Sequence, residues 1–263
     1  MQMSIELLSL FSLAGYLVGS FSFSRLFIRL FAPKCDIENL KAKAEGGEEM
    51  KMLTYGANAA SLVLGSKLTM LISLLDILKI TIPMLVLKLC FQVDLYYLFF
   101  SLTGLVGNNW PIYYRFKGGA GFSVILGSVA VVDYTAAIAT PILGLFSGVF
   151  IFGNIGIANL GWLLLLVPWL WLRTFSLPIL ICAIVLNAIA LITLIPEAKR
   201  FIEYSKKGKL KGFGETYYSS SPMARGIKKI FDWRNNLGKW KFILALIATL
   251  ILFFVFFLVY FFG

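Results

Sequence analysis

Apolar stretches separated by short polar segments dominate the chain: Ile5 to Phe31, Leu68 to Phe91, Leu95 to Val106, Phe122 to Val132, Ala136 to Phe152, Ile157 to Leu172, Leu177 to Ile195 and Phe242 to Phe262. A helix needs about 20 apolar residues to cross the hydrocarbon of a bilayer. The pattern therefore predicts an all-α integral membrane protein. Several stretches fall short of that length, so tilted or broken helices are expected, with about seven spans and a separate last one. The first stretch lacks a basic start and reads as a retained span, not a cleaved signal.

Composition agrees with the pattern. Hydrophobic residues make up 59% of the 263 and charged residues 14%, with a mean hydropathy of +0.86. That is too much apolar surface for a water-soluble globule of this size. Three parts follow: a membrane bundle over 1–201, a basic segment over 202–240 and an extra C-terminal helix over 241–263.

Charge sets the expected orientation. Lys and Arg concentrate in Lys34 to Lys51, Arg115 to Lys117 and Lys199 to Lys241. Counting spans, all three lie on one side if the amino terminus is outside, and the positive-inside rule then makes that side cytoplasmic. The net charge of +11 reads as juxtamembrane cations facing anionic lipid head groups. No basic and aromatic platform for nucleic acid is present. Met223 to Trp233 reads equally as an amphipathic surface helix and as a solvated linker.

The chain has no His, which excludes an imidazole general base and imidazole zinc sites. Cys35, Cys90 and Cys182 are scattered and odd in number, against a disulfide framework or metal cluster. No metal or cofactor is expected.

Three polar patterns interrupt the apolar background. Gly15 to Ser24, GYLVGSFSFS, places small residues at Gly15, Gly19 and Ser20, where another helix can approach closely. Tyr55 to Lys79 opens with YGANAAS, in which Gly56 and Asn58 suit a helix start. It ends with LLDILK, where Asp76 and Lys79 share a helix face. Pairing is the cheapest way to keep both in an apolar span, and a structural ion pair and a ligand-handling role are equally open. The third pattern is Gly107 to Gly121, GNNWPIYYRFKGGAG. Pro111 and the glycines Gly118, Gly119 and Gly121 discourage helix and free backbone N–H groups for an anion. Arg115 and Lys117 add charge, and a helix start near Phe122 points at the same spot.

In order and spacing these patterns resemble the PlsY-type acyl-phosphate:glycerol-3-phosphate acyltransferases, bacterial inner-membrane enzymes with seven spans. The family's GYLxGSxP, GATN, FDxLKG and GHxxPVFxxFKGGKGVAT motifs correspond to Gly15 to Phe23, Gly56 to Ala59, Leu75 to Lys79 and Gly107 to Gly121. The resemblance covers about Ile5 to Phe201.

The resemblance implies transfer of a fatty acyl group from acyl phosphate to the 1-hydroxyl of glycerol-3-phosphate, giving lysophosphatidic acid for phospholipid synthesis. The implied partners are the two substrates and membrane lipids, in a cell inner membrane. Lys117 would pair with phosphate, and the amides at Gly118, Gly119 and Gly121 would cradle it. Gly56 and Asn58 would line the same pocket, with Ser20 packing or positioning substrate. Asn108, Arg115, Lys79 and Arg200 would supply the remaining donors and charges.

This sequence departs from the family pattern in several places. The loop His is Asn108 and the second loop Lys is Ala120. The family's serine- and glycine-rich run with its Arg is replaced by CDIENLKAKAEGGEEMKM, where Glu45, Glu48 and Glu49 would repel phosphate. Thr193 to Lys206 offers only Arg200 for the family's last motif. The alternative expectation is thus a catalytically lapsed lipid- or phosphate-binding protein or partner subunit on the same scaffold.

Overall fold

The computed structural model describes residues 4–43, 49–51, 54–153, 155–206 and 222–238, with helical positions at 242–243, 246–248, 250–251 and 254. The chain is a helical bundle. Its helices are α1 (Ile5–Ser20), α2 (Phe23–Phe31), α3 (Ala57–Cys90), α4 (Asp94–Asn109), α5 (Phe122–Val132), α6 (Tyr134–Phe146), α7 (Ile155–Thr174), α8 (Leu177–Lys206) and α9 (Pro222–Asn235). A small antiparallel hairpin pairs β1 (Lys41–Lys43) with β2 (Glu49–Lys51).

Two compact units form, one from 1–132 with 184–222 and the other from 133–183 with 223–263. Among the described residues, five helical segments are long and apolar enough to cross a membrane: Ile5–Phe31, Ala57–Cys90, Tyr134–Ile151, Ile157–Thr174 and Leu177–Lys199. At 1.5 Å per residue, α4 and α5 extend only about 24 Å and 16 Å, short of the roughly 30 Å hydrocarbon layer. The eighth apolar stretch lies largely outside the described residues.

In the first unit, the expected Ile5 to Phe31 segment is broken. α1 ends at Ser20, Phe21 and Ser22 are extended, and the Ser22 hydroxyl accepts a bond from the Arg25 amide to cap α2. The reason is compositional: Ser22 starts helices, and Arg25 and Arg29 give the following residues a polar face. α3 is also broken, at Gly65, whose φ of 74° and ψ of 178° are accessible essentially to glycine alone. A straight helix of that length would run about 50 Å; the break makes Ala57 to Leu64 a separate short arm.

α1 packs on α4 through small residues. A Cβ on Gly19 would strike the Gly104 carbonyl, and one on Gly107 would strike the Tyr16 carbonyl. Lipid chains are as apolar as leucine, so backbone proximity and not water exclusion holds such a pair. The packing role expected for Gly15, Gly19 and Ser20 is what the structure shows: the Ser20 hydroxyl is buried and donates to the Tyr16 carbonyl at 2.8 Å. Polar bonds then tie in α5, with Ser101 Oγ 2.8 Å from Ser128 Oγ and Lys88 Nζ donating to the Val131 carbonyl at 2.6 Å.

In the second unit, α6 passes into a wide turn at Ser147–Ile151 and pairs with α7, where Gly144 abuts Trp162 and Gly148 abuts Ala158. Val149, Phe150 and Ala158 form a small core against which Ile230 of α9, Phe242 and Leu246 pack. The segment Met223 to Trp233 is thus helical, and one of its faces serves this core. Across the helices, side chains such as Leu13, Met70, Leu89, Ile138, Leu164 and Ile181 stand exposed, a surface suited to lipid.

Candidate active site

The loop between α4 and α5 closes on itself. α4 stops at Asn109 because Pro111 cannot continue it. A single 3-10 turn at Ile112–Tyr114 leads into Arg115 and Phe116, both left-handed with φ of 53° and 61°. The Phe116 amide donates to the Pro111 carbonyl at 3.0 Å and the Lys117 amide to the Tyr114 carbonyl at 3.1 Å. Such left-handed pairs are costly for residues with a Cβ, and these bonds offset the strain.

The glycines answer to packing more than to anion binding. A Cβ on Gly118 would lie 2.6 Å from Pro111 Cδ and 2.7 Å from the Asn109 carbonyl oxygen, and would strike the Asn108 carbonyl. The Gly119 amide already donates to the Asn108 carbonyl at 3.0 Å, and the Gly118 carbonyl accepts from the Tyr55 amide at 2.9 Å. Gly121 takes φ 81° against Leu105 and Asn109. The expectation that these three residues together offer free amides to an anion is therefore corrected for Gly119.

What the loop does assemble is a meeting of two helix starts. Gly56, the residue before α3, carries no side-chain cap, and a Cβ built on Gly119 would stand 3.5 Å from Gly56 Cα. Gly121 opens α5 by accepting from the Ile125 amide at 3.0 Å. First-turn amides lack intrahelical partners and carry the positive end of the helix dipole, so a junction of two starts favours an anion. Asn58 lies exposed in the first turn of α3.

Lys79 is enclosed by acceptors from α1, α3 and α4. Its ammonium lies 2.8 Å from Asp76 Oδ1 and donates to the carbonyls of Gly19 (3.2 Å) and Phe21 (2.7 Å) and to Asn108 Oδ1 (3.1 Å). Three N–H groups facing four acceptors leave no donor for a substrate. The ammonium satisfies the open carbonyl end of α1 and holds Asn108 Oδ1. That orientation leaves Asn108 Nδ2 3.3 Å from Asn109 Oδ1 and 3.3 Å from the position of a Cβ on Gly119. Asn109, buried, donates to Thr193 Oγ1 at 2.8 Å, which ties α8 to the loop.

Lys117 and Arg115 diverge. Arg115 is exposed and, among the described residues, is held by no hydrogen bond or ion pair. Lys117 Nζ lies 2.6 Å from Glu38 Oε2. Glu38 Oε1 accepts from Arg25 at 3.2 Å, while the other Arg25 nitrogen donates to the Lys117 carbonyl at 2.9 Å. The Arg25 guanidinium stands 5.3 Å and 4.6 Å from the Tyr55 and Tyr114 ring centres. Hydrogen bonding from Lys117 first, and from Arg25, holds the Glu38 carboxyl below the usual carboxylate range. Ser20 belongs to the α1–α4 interface, and the side chain of Arg200 lies outside the described residues.

Sequence reasoning passed over Arg25, Glu38, Tyr55, Asn109 and Thr193. Arg25 and Arg29 stand four apart within FSRLFIRLF, a spacing that marks a polar helix face. That signal was available inside a stretch read as span. Glu38 belongs to the acidic insert, but of the residues expected to repel phosphate Glu45 and Glu48 lie outside those described, and Glu49 is described only as the start of β2.

The family model for glycerol-3-phosphate acyltransferase matches residues 9–204. The chain belongs to this family. A glycerol-3-phosphate acyltransferase of Shouchella clausii is 33% identical over 141 residues, covering 52% of this chain and 63% of that protein. One from Aquifex aeolicus is 27% identical over 177 residues, covering 66% of this chain and 85% of that one. Two crystal structures of PlsY (YgiH), an integral membrane glycerol 3-phosphate acyltransferase, share the fold. Its lysophosphatidic acid form matches with TM-score 0.60 at 23% identity, and its glycerol 3-phosphate form with 0.61 at 24%. Each covers 77% of this chain and 93% of its own. This family member is a multi-pass integral membrane protein whose matched region ends before α9.

Proposed function

We propose that the protein is a membrane acyltransferase that moves a fatty acyl group from acyl phosphate to the 1-hydroxyl of glycerol-3-phosphate. The observation that carries this reading is the junction of the α3 and α5 starts at Gly56 and Gly119, with the Asn108 amide beside it and Lys117 on the same loop. The proposed orientation puts the amino terminus outside, with this loop and the basic segment on the cytoplasmic side of a cell inner membrane.

The reaction suits a site without His. The substrate hydroxyl oxygen attacks the acyl carbon, the carbon–oxygen bond to phosphate breaks, and the hydroxyl proton leaves with the phosphate, itself a competent base near neutral pH. The protein's work is to hold the hydroxyl close and to stabilise oxygen charge. Asn108 has a second amide hydrogen for the developing oxyanion, and its orientation is set by Lys79. Lys117, Arg115 and the first-turn amides at Gly121 and Asn58 hold phosphate. Gly118 and Gly119 act by letting the loop approach α3.

A lapsed, phosphate-binding reading is favoured by one observation, the engagement of Lys117 by Glu38. Phosphate release from palmitoyl phosphate, with glycerol-3-phosphate present, separates the two. Purified protein should release phosphate well above Lys117→Ala. Release no greater than the variant's, with an intact family member active alongside, would end the acyltransferase reading for this substrate pair.

A further inference from the structure

The Glu38 carboxylate sits between two cations from different elements, Lys117 of the loop at 2.6 Å and Arg25 of α2 at 3.2 Å. The cations are held apart from one another's control. Arg25 is fixed by its bond to the Lys117 carbonyl and by the Tyr55 and Tyr114 rings, and its side chain is only 14% exposed. Lys117, at 47%, reaches the carboxylate from solvent.

Charge at this place does not balance. Among the described residues two cations face one monoanion here, which leaves about one positive charge unmatched. A phosphomonoester carries about −1.5 to −2 near neutral pH. It offers three acceptor oxygens to a guanidinium fork and an ammonium, a better match in both charge and geometry. Glu38 itself rides on a single 3-10 turn, Ile37–Asn39, with Asp36 bonding the Glu38 amide at 2.9 Å and Asn39 Nδ2 at 2.7 Å. Its side chain can therefore leave the cations without unfolding an element.

We propose that Arg25 and Lys117 form a two-cation seat for the phosphate of a phosphomonoester, and that Glu38 is its resident competitor, displaced when the phosphate arrives. This rests on the acyltransferase reading for the identity of the ligand, but not for the existence of the seat. Glu38 thereby sets the affinity of the empty protein for phosphate and disfavours weaker, singly charged anions.

The test is calorimetric titration of inorganic phosphate, and separately glycerol-3-phosphate, into the full chain in detergent. An exposed ion pair corresponds to a factor of about two to five in affinity. Glu38→Gln should tighten phosphate binding by about that factor, and Arg25→Gln should weaken it by at least as much. If Arg25→Gln does not fold, Arg25→Lys, which keeps charge but loses the fork, should weaken it instead. Unchanged or weaker binding by Glu38→Gln overturns the seat, because Glu38 would then be aligning Lys117. The absence of phosphate binding by both wild type and Glu38→Gln overturns it too. Phosphate binding that follows the expected order, in a protein that releases no phosphate from palmitoyl phosphate, upholds the seat and removes the acyltransferase reading alone.

Discussion

The ammonium of Lys79 lies 3.1 Å from the side-chain oxygen of Asn108, so a residue deep in α3 decides which way the loop amide faces. The same ammonium carries Asp76 at 2.8 Å and two carbonyls at the end of α1. One cation thus joins three helices at the point where the first of them breaks.

Removing that cation leaves a buried carboxylate without its partner. Lys79→Met is expected to cost about 3–5 kcal/mol, read as a lowered unfolding midpoint in detergent. Adding Asp76→Asn should recover a substantial part of the loss. A double variant no more stable than Lys79→Met alone would contradict the pairing argument.

Asn108 should matter to the chemical step more than to folding. Asn108→Ala is expected to lower kcat by about 10²-fold, the scale for loss of one oxyanion donor. The unfolding midpoint should fall by far less than in Lys79→Met. Steady-state acyl transfer alongside thermal unfolding checks the contrast, and a large change in KM with kcat intact would move Asn108 to substrate binding.

Gly118 and Gly56 should respond differently. Gly118→Ala meets the Asn108 and Asn109 carbonyls and Pro111 Cδ, and overpacking of this kind costs about 1–3 kcal/mol. At Gly56 an added methyl finds its nearest neighbour, Gly119 Cα, at 3.6 Å. Gly56→Ala should therefore stay within about 0.5 kcal/mol of wild type. Equal destabilisation by the two would show that the loop adjusts.

Glu38 gives a signed pH dependence. Its folded-state pKa is depressed, chiefly by the hydrogen bond from Lys117, so its contribution is fully present above the unfolded carboxylate pKa and is lost as pH falls through the folded value. Because the pair is exposed, the contribution is at most about 1 kcal/mol. The stability difference between wild type and Glu38→Gln should be present at neutral pH and close in acid below about pH 4. A difference that grows on acidification would reverse the sign of the argument.

Membrane residence, the order of the helices, the small-residue packing face of α1 and the loop's place between two apolar stretches were legible in the sequence, because hydropathy and glycine spacing act over neighbouring residues; that α4 is the partner of that face was decided by folding. The shared helix face of Asp76 and Lys79, whose spacing permits a pair, was legible too; that they form one was decided by the structure. Tertiary structure decided the rest. Only folding brings Glu38, 79 residues away, onto the Lys117 ammonium and Arg25 onto the Lys117 carbonyl. Folding likewise surrounds Lys79 with four acceptors and joins the Gly119 amide to the Asn108 carbonyl. Charge and glycine content state which interactions a residue can make; which partner satisfies it depends on what the bundle brings within hydrogen-bonding distance.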